Sequence, residues 1–98
     1  MKTYLIVNAI PNPDHEADLK HYSEAVLPLL LEAGGESIKR AKLNSVVAGE
    51  VKYPLFLFME FPDEQPILDL FESAAYQKLL PYRQKAFTEI NIYTFTDL

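Results

Sequence analysis

Glu60 is the polar residue whose place in this chain asks for the most explanation. It lies in the run Leu55-Phe56-Leu57-Phe58-Met59-Glu60-Phe61 and alternates with Phe56 and Phe58, so it shares an apolar strand face. A carboxylate there needs a partner, or burial raises its pKa. That would make it a general base or a ligand anchor. The structural alternative, an ion pair or hydrogen bond at the strand end, is the weightier reading. Arg83 is one of only two arginines. Its guanidinium can fork onto a carboxylate, either that of Glu60 or that of a ligand. Tyr76 and Leu80 precede it by seven and three residues, on one helical side, as suits a partly buried arginine. The alternative is a stem packed on the core with its head in water. The other arginine, Arg40, falls in a charged segment and reads as solvated edge. Asn8 ends an apolar run and either caps the turn at Pro11 or donates to a ligand oxygen. With Tyr4 and Tyr22 it is a candidate to line a pocket between the sheet and the first helix, although Tyr22 also fits a core stripe. The candidate catalytic residues are thus Glu60 and Arg83. The candidate ligand-binding residues are Asn8, Glu60, Tyr76 and Arg83.

Other chemistries find little support. His15 and His21 lie six apart, about 240° around a helix, and cannot share a metal as an i, i+4 pair would. Asp18 stands three before His21, close enough to orient it, but the acidic and basic neighbours indicate a solvated helix face. The absence of cysteine removes disulfides, thiolate catalysis and every Cys-containing metal site. No serine sits in a nucleophile elbow, and Gly34-Gly35 reads as a helix stop, not a phosphate cradle. No metal and no cofactor are therefore expected.

These residues must be positioned by one domain, residues 1–98, since the chain has only 98 residues. The hydrophobic share of 49% and charged share of 23% suit a globular chain. A net charge of −5 and a pI near 4.9 argue against nucleic acid and anionic membrane as partners. The apolar run after Lys2 stops at Asn8 and Pro11, too short for a signal peptide, and no stretch approaches the roughly 20 residues of a membrane span. A cytoplasmic location is the expectation.

The pattern predicts a strand over 3–9, ended by Pro11 and Pro13. A helix over 14–33 follows, with Leu19, Tyr22, Val26, Leu29, Leu30 and Ala33 as its apolar stripe. Asn12 caps it, Gly34-Gly35 ends it, and Pro28 should bend it near Glu24. Segments 36–43 and 45–48 read as an edge strand or arm guarded by Lys39, Arg40 and Lys42. The strongest strand is 55–61. Asp63 caps a short helix with Ile67, Leu68, Leu70 and Phe71 inward. Ser73 caps a second piece, 74–87, kinked at Pro81, with Leu79, Leu80 and Phe87 inward. A last strand spans 89–95. The order is βαββαβ, an α+β ferredoxin-like arrangement with an antiparallel sheet.

Both faces of these strands are apolar. Leu55, Leu57, Met59 and Phe61 alternate with Phe56, Phe58 and Glu60; Ile90 and Ile92 alternate with Tyr93 and Phe95. Two helices cover one face only, and a wet second face would expose more apolar surface than soluble monomers tolerate. A homodimer joined through the sheet faces is expected. The alternative is a monomer wrapped by the bent helix and the 36–53 arm.

The segment Phe71-Glu72-Ser73-Ala74-Ala75-Tyr76-Gln77-Lys78-Leu79-Leu80-Pro81-Tyr82-Arg83 resembles the aromatic-x-Ser-x-x-Tyr-x-x-Leu-x-x-x-Arg signature of a small bacterial family. That family is the domain of unknown function numbered thirteen-thirty. Met59-Glu60-Phe61-Pro62 resembles its strand ending in Glu-Phe-Pro, and Gly34-Gly35 with Ile38 and Arg40 resembles its hairpin start. Ala41-Lys42 and Val51-Lys52 depart from its usual glycines and tryptophan. Such proteins are similar to the dimeric α/β-barrel superfamily, which also holds cofactor-independent monooxygenases, haem-degrading enzymes and muconolactone isomerase-like proteins. The resemblance implies the fold and the dimer, and no known reaction. The functional expectation is a small-molecule-binding or accessory domain without catalysis. The alternative is a cofactor-independent monooxygenase- or isomerase-like enzyme acting on a small apolar or aromatic substrate.

Overall fold

The computed structural model describes residues 2–98; Met1, the first residue of the expected domain, lies outside them. The strands are β1 (Thr3–Pro11), β2 (Glu36–Lys42), β3 (Leu55–Phe61) and β4 (Phe87–Thr96). The helices are α1 (Glu16–Glu32), α2 (Gln65–Glu72), α3 (Ala74–Gln77) and α4 (Leu80–Ala86). The sheet order is β2-β3-β1-β4 with every neighbouring pair antiparallel. This is the ferredoxin-like α+β arrangement.

Side-chain caps mark the entry to α1 and the start of α3. Asn12 Oδ1 accepts from Asp14 N at 3.0 Å, closing a 3-10 turn over Pro13–His15 that leads into α1. α1 continues through Pro28, and Gly34 ends it with a φ of +101°. At Gly35 a Cβ would come within 2.8 Å of Met59 Sδ, so the helix exit requires glycine for its close approach to β3. Ser73 caps α3 by accepting from Tyr76 N at 3.2 Å, as its position predicts.

Three local readings need correction. Asp63 does not cap α2; Glu64 is the N-cap residue, and Asp63 Oδ1 accepts the Glu64 N–H at 2.8 Å. Leu68 is exposed, because α2 turns only Ile67 and Leu70 fully inward. Pro81 does not kink one helix. It opens α4 as a separate helix, where its missing N–H costs little.

The core joins one sheet face to the helices through Leu5, Met59, Phe61, Tyr22, Ile67 and Tyr76. The other face carries no helix. Segment 43–54 forms no strand, and its Lys52 Nζ reaches Glu89 on β4 at 3.0 Å. No helix among the described residues is long and apolar enough to cross a membrane.

Candidate functional site

Register and alternation build the site. Arg40, Leu57, Val7 and Ile92 form one row across β2, β3, β1 and β4. Leu55, Ala9 and Ile90 form the next. Small side chains in β1 leave the floor low, and α1 crosses above it with Leu19 and Val26. A cavity of about 220 Å³ lies between. All but three of its lining side chains are apolar, the three being Tyr22, Ser23 and Arg40. Its exposed lining residues come from β2 and the adjoining part of β3, so the cavity opens at the β2 edge, where Arg40 stands.

Arg40 faces the cavity because of a bulge. Glu36 pairs with Glu60, but Lys39 pairs with Phe58, so one extra residue enters β2 between them. Ser37 has a φ of +55° at this point. Without that residue the alternation would turn Arg40 to the helix-free face.

Behind the cavity a chain of polar contacts crosses the helix layer. Arg83 Nη1 donates to Tyr76 Oη at 2.9 Å, and the Tyr76 and Tyr22 hydroxyls lie 2.6 Å apart. Burial first, and the Tyr76 phenol second, push the Tyr22 hydroxyl well above the ordinary tyrosine range, against a smaller opposing effect of Arg83. Tyr22 is therefore neutral at physiological pH and is no base. Phe71 packs edge-on against Tyr76 at 4.6 Å. The Phe71-Ser73-Tyr76-Leu79-Arg83 segment is thus a latch that holds α2, α3 and α4 together and bonds them to α1 at Tyr22.

The candidate residues from the sequence do not converge. Glu60 belongs to the helix-free face, where it pairs with Tyr4 across the strands and meets Lys2 Nζ at 3.5 Å. Arg83 lies on the helix side and donates to Tyr76, so it cannot fork onto Glu60. Asn8 and Tyr4 also face away from α1, because β1 alternates and Leu5, Val7 and Ala9 take the helix side. The pocket expected from Asn8, Tyr4 and Tyr22 together does not form. Asn8 Nδ2 donates to Tyr93 Oη at 2.7 Å, and Asn8 Oδ1 accepts from Asn91 at 3.1 Å. It borders a second hollow of about 230 Å³ beneath segment 43–54. Asp18 Oδ2 bonds His15 Nδ1 at 3.1 Å, not His21, which stacks on Tyr82. Arg40, read from the sequence as solvated edge, is exposed on the edge strand β2 and also lines the cavity. Its spacing two after Ile38 was a usable signal, because both face the cavity.

The family model for a domain of unknown function (DUF1330) matches residues 2–95. The chain belongs to this family. No curated protein matches it in sequence. Among solved structures, the DUF1330 chain is similar to a protein of unknown function from Rhodopseudomonas palustris, at 13% identity and TM-score 0.80, covering 99% of this chain and 82% of that one. It is similar to a dimeric ferredoxin-like protein of unknown function from Jannaschia sp. CCS1, at 12% identity and TM-score 0.75, covering 99% and 100%. An EthD-family protein from Bacillus halodurans C-125 matches at 18% identity and TM-score 0.67, over the whole of both chains. These likenesses establish the fold, and no catalysis is established.

Proposed function

We propose that this DUF1330 chain is a binding domain that holds a small apolar molecule between α1 and the sheet, and that it works as a homodimer joined through the helix-free faces. The cavity carries the reading. Protein interiors are close-packed, and a void of this size in a closed core would cost on the order of 5 kcal/mol. A cavity of roughly 150 Å³ is enough to hold benzene, so about 220 Å³ accommodates a substituted ring or a short chain. Its lining includes neither a carboxylate nor an imidazole, and its one phenol is held neutral. That favours binding over an oxygenase or isomerase reaction, which would need a base beside the substrate. The exposed rings of Phe56, Tyr93 and Phe95 support self-association, as does the dimeric relative from Jannaschia. The cysteine-free, acidic composition supports a cytoplasmic place and argues against nucleic acid as a partner.

The test is titration of ¹⁵N-labelled protein with 4-ethylbenzamide, a neutral ring of suitable size. Saturable shifts at the amides of Val7, Leu57 and Val26, lost in Val26→Trp with the rest of the spectrum retained, are expected. Absence of saturable shifts in the unaltered protein overturns the reading.

A further inference from the structure

Resting on that reading, we propose that the ligand is an apolar monocarboxylate and that Arg40 binds its carboxylate at the mouth of the cavity. Arg40 is the charged residue of the lining, and it ends the floor row that continues through Leu57, Val7 and Ile92. A molecule seated on that row with its apolar body under α1 presents its head to the guanidinium.

Three observations support this placement. First, no carboxylate pairs with the Arg40 guanidinium among the described residues. The acidic groups on the surface pair elsewhere or leave it alone: Glu60 meets Lys2, Asp18 meets His15, and Glu89 meets Lys52. Second, the extra residue in β2, with Ser37 at positive φ, is what turns Arg40 to the helix side, where it stands exposed at the cavity's edge. Bulges re-aim side chains in this way next to binding sites. Third, Lys39, Arg40 and Lys42 crowd three of the nine cations into four positions of a chain with net charge −5. The β2 edge is thus the cationic side of an acidic molecule.

The head group follows from the same features. A planar guanidinium fork matches a carboxylate bidentately. Of the three cations on this edge only Arg40 lines the cavity, so the lining matches the single charge of a carboxylate better than the nearly two charges of a phosphate monoester. The cavity wall beyond Arg40 is apolar, so the remainder of the molecule is hydrocarbon or aromatic.

The test compares 4-ethylbenzoate with 4-ethylbenzamide, which share a shape and differ in charge, in the same NMR titration at neutral pH and low salt. The carboxylate is expected to bind at least tenfold more tightly. Arg40→Gln should erase that preference while leaving the amide's affinity within twofold, which also shows that the variant is folded. Arg40→Lys should keep part of the preference through charge alone. Equal binding of the two probes overturns the carboxylate assignment and leaves the cavity reading standing. A preference that survives Arg40→Gln removes Arg40 from the site. If neither probe binds, the cavity reading falls and this proposal falls with it.

Discussion

Along β1, Leu5, Val7 and Ala9 face α1, while Tyr4, Ile6 and Asn8 face away from every helix. The first set is wholly apolar and the second mixes an aliphatic residue with a phenol and an amide, and their surroundings differ as well. On the helix side Leu5, Ala9, Met59 and Phe61 are almost fully buried, and a cavity lies beside them. On the other side the rings lie against one another. Tyr4 stacks on Phe58 and Tyr93 meets Phe95 edge-on, each pair 5.4 Å apart. Phe95 still leaves 58% of its surface exposed. Polar atoms on this face are satisfied sideways, as in the Asn8, Asn91 and Tyr93 group. The comparison sets a face that encloses a cavity under a helix against a face that leaves its aromatic rings uncovered.

The sharpest break of that comparison is a charge on the flat face. In a two-fold dimer each substitution appears twice in the same interface, and an unpaired buried carboxylate is strongly unfavourable. Phe95→Asp should convert a species of twice the 11.2 kDa chain mass into one of a single chain at micromolar concentration, read by native mass spectrometry. The 4-ethylbenzamide affinity of the cavity should stay within threefold. A single-chain mass for the unaltered protein would sink the dimer and leave the aromatic face without an occupant.

A smaller effect separates the faces by pH. Tyr22 on the helix side is buried, and its folded pKa is raised above its unfolded value of about 10. Its proton is held more tightly in the fold. Its contribution is therefore fully present below pH 10 and is lost as pH rises beyond that. The decline approaches about 1.4 kcal/mol per pH unit for this one group. Tyr22→Phe should cost about 1 kcal/mol near neutrality through the lost hydrogen bond to Tyr76. It should also flatten the alkaline limb, measured by urea unfolding between pH 9 and pH 11. An unchanged alkaline limb would show that the fold does not hold the Tyr22 proton more tightly than the unfolded chain does.

Most of the fold was legible because its signals are local. The run 55–61 alternates without interruption, and the observed β3 has the same limits. Asn12, Gly34 and Ser73 mark their turns through backbone chemistry that needs no tertiary context. The candidate site was less legible for a physical reason. A strand's facing is fixed by its register, and one inserted residue reverses it. Read with strict alternation from Glu36 onward, Arg40 belongs to the same side as Glu36 and Glu60. Only the bulge at Ser37 moves it to the helix side. Arg83 drew the functional reading instead, because its neighbours Tyr76 and Leu80 made it look partly buried. It is partly buried, and its partner is Tyr76. Glu60 and Asn8 stood out as polar residues in apolar runs, which marks a satisfied polar group as readily as a site.

The smallest effect tests that last distinction. Glu60 and Lys2 are 3.5 Å apart, and their side chains keep 27% and 52% of their surface exposed. A pair so open to solvent is worth less than about 1 kcal/mol. Glu60→Gln keeps the shape of the side chain and removes its charge. The variant should lose no more than that in stability, a loss that shrinks further in 0.5 M salt as screening weakens the pair. It should bind 4-ethylbenzoate within twofold of the unaltered protein, because the sheet separates Glu60 from the cavity. A tenfold change in that affinity would mean that the two faces communicate through the strands, and the division between an enclosing face and a docking face would have to be abandoned.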